Sequence, residues 1–398
     1  MKILFVFDSL TNAGTENSYL QLLPRFSNNV EVTVAYFYAD HCLAGEFEDA
    51  NIQVRFLANS GRYGFGTGVK KLFKLVKEEK PDLLVSSLLR SNLISRVVSK
   101  ISGVPLVGTL VSDSYGKVRL DDFQGRRLLK FKLFWQLDRW TAGIPIQWIA
   151  NSSFIADAHC KALGLERNKI EVIYRGREVP HLTWRESNSS KNNRISYDFV
   201  SVGRLFKTKG WTELLDAFHL VLRKYPNCTL TIFGEGPLRA SLEEKVIGLG
   251  IGEKVFLPGN VPQVQDRLFD YDCFVFPSWY EGFSGALVEA MMVGIPVIAS
   301  DIPMNLEAVT PHINALTFPV KDAEMLAAQM NYAMNHPEKM AELGRNARKE
   351  AIERFDIEKI AEEYEEVLKR VLKTSPSLSK RERNKDGWRK SSVPPFRG

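Results

Sequence analysis

The sequence predicts an α/β protein built from two doubly wound, Rossmann-like domains that face each other across a cleft. Three observations carry that prediction. Short, continuous apolar runs alternate with helix-period segments almost throughout, which is the pattern of parallel strands covered on both faces. The alternation comes as two series, separated by an unpatterned polar stretch from Glu178 to Arg194 that contains "RESNSSKNNR". The chain of 398 residues is long enough for two cores.

In the first series, "KILFVF", "EVTVAYFY", "IQVRFL", "DLLVSSL", "PLVGTLV" and "QWIANS" are strand candidates, followed by "IEVIYRG". Each is a brief apolar run bounded by polar or turn residues. Between them lie helical patterns such as "ENSYLQLLPRF", "GVKKLFKLVKEEK" and "LISRVVSKISG". The second series runs "YDFVSVGRL", "TLTIFGEG", "KVFLPGN", "CFVFPS", "PVIASD" and "NALTF", with "WTELLDAFHLVLRKYP" and "PLRASLEEKVIGLG" among its helices. The expected division is a first domain over residues 1–177, a linker over 178–194, a second domain over 195–355, a helix over 356–373 and a tail over 374–398.

Composition narrows the function classes. Hydrophobic content of 44% and charged content of 25% are those of a soluble globular protein. No stretch reaches the roughly 18 uncharged apolar residues of a membrane helix. The N-terminal apolar run stops at Asp8, which fits a buried first strand better than a signal peptide. The four cysteines stand far apart and the six histidines form no ligand spacing, so reduced thiols, no metal site and a cytoplasmic setting are expected. Of the net charge of +6, the tail contributes +5 through seven Lys/Arg against Glu382 and Asp386. The body is therefore close to neutral, which argues against nucleic acid as a partner. The tail is polar and Pro/Ser-rich, the composition of a disordered segment. Gly125 to Trp140, "GRRLLKFKLFWQLDRW", is basic and aromatic. It reads either as an interfacial helix at the inner face of a membrane or as a core-facing helix with snorkelled cations.

The chemistry is expected at the carboxyl ends of the strands, where doubly wound sheets bind ligands. "WYEGFSG" joins the "CFVFPS" strand to the "GALVEAMMVG" helix. Gly282 and Gly285 would allow close backbone approach to a ligand. The N–H groups of Ser284, Gly285, Ala286 and Leu287, with the helix dipole behind them, suit phosphate. Glu281 and Glu289 could accept hydrogen bonds from sugar or ribose hydroxyls; the same spacing fits a solvated loop acid and a helix-surface glutamate. "VSVGRLFKTKG" brings Arg204 and Lys209 to the same edge, as phosphate clamps or as solvated loop cations. "FGEGPLRA" is a third strand–glycine–helix junction there, with Gly234, Gly236 and Pro237.

In this order the three junctions resemble the nucleotide-sugar-dependent glycosyltransferases of the GT-B fold, specifically glycosyltransferase family 4. Glu281 and Glu289 match that family's pair of glutamates with seven residues between them. Arg204, Lys209 and Gly210 match its "GR…KG" loop, and Gly234, Gly236 and Pro237 its "G-x-GP" turn. "EAMMVGIPVIASD" matches the stretch that follows. The likeness is strongest from Tyr197 to Val309. Before the linker, "NAGTE" keeps Gly14 and Glu16 of a "GG-x-E" motif, with Ala13 in place of the first glycine. "VIYRGRE" puts Arg175 where the family has asparagine. Val111 and Ser112 stand where many relatives carry a histidine, and no histidine is close in sequence.

The resemblance implies transfer of a sugar, with retention at the anomeric carbon, from a nucleoside-diphosphate sugar to a glycan or lipid-linked acceptor. Arg204, Lys209 and the helix start at Ser284 would stabilise the leaving diphosphate without a metal ion or cofactor. Glu281 would face the transferred sugar and Glu289 the ribose. Asp270 and Asp272 spell a D-x-D at the opposite strand end and read as turn and capping residues. Two rivals share this scaffold: a catalytically silent nucleotide-sugar-binding or assembly subunit, and a different enzyme such as a sugar epimerase or phosphorylase.

Overall fold

A computed structural model describes residues 1–59, 64–121, 123–181, 184 and 196–375 of the chain. Most of the expected linker and nearly all of the expected tail lie outside the described residues. The chain divides into two compact units, Met1–Ile173 together with the chain from Ile360, and Tyr174–Lys359.

The first unit is built on seven strands: β1 (Lys2–Phe7), β2 (Glu31–Tyr36), β3 (Gln53–Phe56), β4 (Leu83–Ser86), β5 (Leu106–Leu110), β6 (Gln147–Ala150) and β7 (Ile170–Val172). They are all parallel, in the order β3-β2-β1-β4-β5-β6-β7. The second unit holds β8 (Tyr197–Val202), β9 (Cys228–Phe233), β10 (Val255–Gly259), β11 (Cys273–Phe276), β12 (Val297–Ser300) and β13 (Leu316–Phe318). Their order is β10-β9-β8-β11-β12-β13, again parallel throughout. Both are the doubly wound sheets that the two series of apolar runs predict.

Helices on both faces explain why the strands read as continuous apolar runs. Every residue of β4, β11 and β12 is buried. In the second unit, one face packs Leu214, Leu215 and Phe218 of the Trp211–Leu222 helix, and the other packs Leu287, Val288 and Met291 of the Gly285–Val293 helix. The last described helix, Ile357–Thr374, returns to the first unit. There the Tyr364 hydroxyl meets that of Tyr19 at 2.9 Å, and Glu365 accepts from the Ser27 amide and hydroxyl at 2.7 and 2.6 Å. Residues 174–177 go with the second unit, because the Arg177 amide donates to the Phe355 carbonyl at 2.8 Å and the Ile357 amide to the Arg177 carbonyl at 3.1 Å.

The core of the first unit contains an ion pair. Arg96, on the Leu89–Ser102 helix, is 1% exposed and meets Asp138, on the Gly125–Thr141 helix, at 2.6 Å. Its guanidinium also lies 5.0 Å over the Trp148 ring and donates to Thr141 Oγ1 at 2.7 Å. The Tyr115 hydroxyl donates to the other Asp138 oxygen. Burial, with the Asp138 charge beside it, pushes the Tyr115 phenol far above its ordinary range. Removing one member of a buried pair strands the other charge, at about 3–5 kcal/mol. Asp138→Ala should lower unfolding stability by roughly that amount in urea titrations; a loss below about 1 kcal/mol would show that water or another group replaces the carboxylate.

Candidate active site

The second sheet reverses its strand order between β8 and β11, and the loops that follow these two strands diverge from that point. A crevice at such a reversal is where open α/β sheets take ligands. The loop after β8 runs from Gly203 to Gly210, and the loop after β11 from Pro277 to Ser284.

These loops touch through backbone. The Trp279 amide donates to the Thr208 carbonyl at 2.8 Å. Gly210 has φ 72°, and a side chain there would meet the Pro277 carbonyl oxygen at 2.1 Å. Only glycine tolerates both the left-handed backbone and that approach. The closure brings Lys209 onto Glu281: the Lys209 ammonium donates to Glu281 Oε1, and Ser278 Oγ donates to the same oxygen at 2.7 Å. Both members of the pair are largely withdrawn from solvent, where a charge-assisted bond is stronger than in water.

The loop after β9 packs against the loop after β8 in the same manner. Gly234 has φ 139°, and a side chain on it would lie 2.0 Å from the Gly203 carbonyl oxygen. One on Gly236 would lie 2.6 Å from the Leu205 carbonyl oxygen, and the Leu205 amide donates to the Glu235 carbonyl at 2.8 Å. Both glycines therefore have a packing reason within the protein.

The helix Gly285–Val293 opens on Ser284, whose Oγ accepts from the Leu287 amide at 3.4 Å. One of the four amides expected to face a phosphate is thus capped by its own helix. Gly285, where close backbone approach to a ligand is expected, also has a neighbour within the protein. A Cβ there would sit 1.7 Å from Arg177 Nη2. Arg177 is buried, with its side chain 5% exposed, and its Nε donates to Glu289 Oε1 at 2.6 Å. Its Nη1 donates to the Gly176 carbonyl at 2.8 Å.

Arg177 is the group that reading the sequence missed. Arg175 stands at the family's asparagine position, but the second arginine of "RGR" is the one that reaches the helix. The structure thus joins Lys209 to Glu281, and Glu289 to Arg177 and Gly285, with Ser284, Ala286 and Leu287 at the same helix start. Arg204 does not join them: it is exposed and stacks 5.0 Å over the Phe206 ring. Asp272 lies at the far end of β11, where its carboxylate accepts from the Asp198 amide at 2.8 Å.

Gly14 belongs to the first unit, as the exposed first residue of the Gly14–Leu22 helix. The Val111 carbonyl accepts from Asn151 Nδ2 at 3.0 Å, and the Tyr115 amide donates to Asp113 at 3.3 Å. A histidine does lie near this loop in space. His159 meets the Tyr115 ring edge-on at 5.9 Å, but it is buried with Nδ1 on the Ile155 carbonyl at 2.9 Å. Burial lowers its pKa. At the reversal point of this sheet, beyond β1, Asp8 accepts from the Ser91 amide and hydroxyl at 2.8 and 2.6 Å, and burial raises its pKa despite those bonds.

The two halves of the chain match two family models: residues 13–179 match Glycosyltransferase Family 4, and residues 183–350 match Glycosyl transferases group 1. An uncharacterized glycosyltransferase of Methanocaldococcus jannaschii is 25% identical over 320 residues, 77% of each chain. An N,N'-diacetylbacillosaminyl-diphospho-undecaprenol alpha-1,3-N-acetylgalactosaminyltransferase of Campylobacter jejuni is 25% identical over 319 residues, 76% of this chain and 80% of that one. Among solved structures, Anabaena HepE in complex with UDP superposes with a TM-score of 0.77 at 22% identity, covering 93% of this chain and all of the other. These likenesses define a protein of the GT-B fold. The chain belongs to the glycosyltransferases that the two family models describe, and resembles family 4.

Gly285 and Arg177 should behave as a pair. Gly285→Ala alone should cost about 1–3 kcal/mol of stability, the usual penalty of overpacking. In an Arg177→Ala background the same change should cost far less, because the guanidinium it meets is gone. Additive losses in urea unfolding of the two single variants and the double variant would mean that another group excludes the side chain.

Proposed function

We propose that this glycosyltransferase moves a sugar, with retention at the anomeric carbon, from a nucleoside-diphosphate sugar to a glycan or lipid-linked acceptor. The setting is the cytoplasm or the inner face of its membrane. The observation that carries the reading is the pairing of Lys209 with Glu281 beside the Ser284 helix start, at the reversal point of a doubly wound sheet. Cation, carboxylate and helix N-terminus are the three parts a diphosphate-linked sugar requires.

In this reading the diphosphate lies against the start of the Gly285–Val293 helix, between Lys209 and Arg204. The bond from the anomeric carbon to the diphosphate oxygen breaks, and the electron pair leaves with that oxygen. Lys209, Arg204 and the helix N–H groups stabilise the developing charge, so a metal ion and a cofactor are not needed. The acceptor hydroxyl forms the new bond on the face the diphosphate vacates and gives its proton to the leaving oxygen. Glu281 keeps Oε1 on Lys209 and Ser278 and turns its second oxygen to the transferred sugar. Glu289, with Oε1 held by Arg177, offers the other oxygen to the ribose hydroxyls. Gly234 and Gly236 hold the neighbouring loop close, and Gly14 marks the acceptor-side helix start.

Lys209→Ala and Arg204→Ala should each lower turnover by roughly a hundredfold or more, as the loss of one preorganised charge-stabilising group does. Near-normal turnover in both would move the leaving-group site elsewhere. A chain that binds the donor and turns nothing over with any acceptor would instead be the silent binding subunit.

The two glutamates should part company in calorimetry. Glu289→Gln should weaken binding of the free nucleoside diphosphate, whereas Glu281→Gln should leave it near normal and lower turnover of the nucleotide sugar. Equal losses of nucleotide affinity would overturn this division of labour.

A further inference from the structure

The Gly125–Thr141 helix of the first unit exposes a row of apolar side chains on its outer side, besides the aromatic ones it packs inward. Its inward face consists of Phe131, the half-buried Trp135 and Asp138, with Asp138 bonded to Arg96 and Tyr115. On the opposite side, Leu129 is 62% exposed, Leu133 63%, Leu137 39% and Trp140 79%. The spacing of four, four and three residues lays these side chains in one row along a helix. A surface helix ordinarily turns such a row inward.

The charges around the row are of one sign. Arg126, Arg127, Lys130, Lys132 and Arg139 are all exposed, and the only acid among the 17 residues of the helix is the buried Asp138. An apolar row framed by cations, with a tryptophan near one end, is the composition of a helix that lies in the headgroup region of a bilayer. The long cationic side chains can reach the headgroups while the leucines enter the acyl boundary. Spanning is excluded for this helix by its charges, and no described helix is long and apolar enough to cross a membrane. A second copy of the chain fits the surface poorly, because self-pairing would set five cations against five.

We propose that the outward face of the Gly125–Thr141 helix docks the first unit on an anionic membrane surface. Leu129, Leu133, Leu137 and Trp140 supply the apolar contact, and the five cations supply the attraction. This inference stands apart from the donor reading, since it needs neither a nucleotide nor turnover.

The test is sedimentation of the full chain with vesicles of phosphatidylcholine alone and of phosphatidylcholine with phosphatidylglycerol, at low and high salt. Binding should be roughly tenfold or more stronger to the anionic vesicles and should weaken with salt. Leu133→Asp and Trp140→Ser, both at exposed positions, should each reduce binding severalfold while the urea unfolding midpoint stays put. Anionic binding that both variants retain in full would overturn the proposal and pass the contact to another basic segment, such as the tail. Absence of vesicle binding would also overturn it. So would a self-association, seen by ultracentrifugation without lipid, that Leu133→Asp abolishes, because the face would then belong to a second copy.

Discussion

A parallel sheet buried on both faces leaves polar chemistry one place to go, the loops beyond its strand ends. That constraint organises the second unit. With every strand parallel, all carboxyl ends lie on one edge, and the reversal between β8 and β11 opens a crevice there. Residues 72 apart in sequence, Lys209 and Glu281, meet because their strands are neighbours. Arg177 and Glu289 meet across 112 residues, because the segment that carries Arg177 bonds to the Phe355 backbone and lies beside the helix start.

Glycines set how closely the loops approach. Gly210 rests on Pro277, Gly234 on Gly203, Gly236 on Leu205 and Gly285 on the Arg177 guanidinium. Each contact is closer than any side chain allows, and three of the four are to backbone oxygens. The glycines of this edge therefore serve the protein's own packing before any ligand arrives. A site whose loops are fixed to one another presents its charges in one arrangement, and electrostatic stabilisation depends on that.

The first unit obeys the same sheet logic but handles its charges differently. The Gly125–Thr141 helix is held by the Asp138–Arg96 pair and two aromatic side chains rather than by a full apolar stripe. A buried, hydrogen-bonded pair adds little net stability but is costly to break. It fixes the helix in rotation, so Leu129, Leu133 and Leu137 stay outside.

The sequence by itself determined the fold class and named most of the residues that the structure gathers at the candidate site. Continuous apolar runs between helical patterns have one efficient burial, a parallel sheet between helix layers, so the strands could be read from local pattern alone. The "KG", "G-x-GP" and "EGFSG" junctions were legible because glycine and charged residues stand out where a strand meets a helix. Contact was not legible. No local pattern distinguishes Arg177 from Arg175, since which of them reaches Glu289 depends on how the segment after β7 is bonded to the Phe355 backbone. Nor could periodicity tell which face of the Gly125–Thr141 helix is buried. Leucine and tryptophan in a row ordinarily mark the inner face, and only the tertiary placement of Arg96 opposite Asp138 turned that row to the outside.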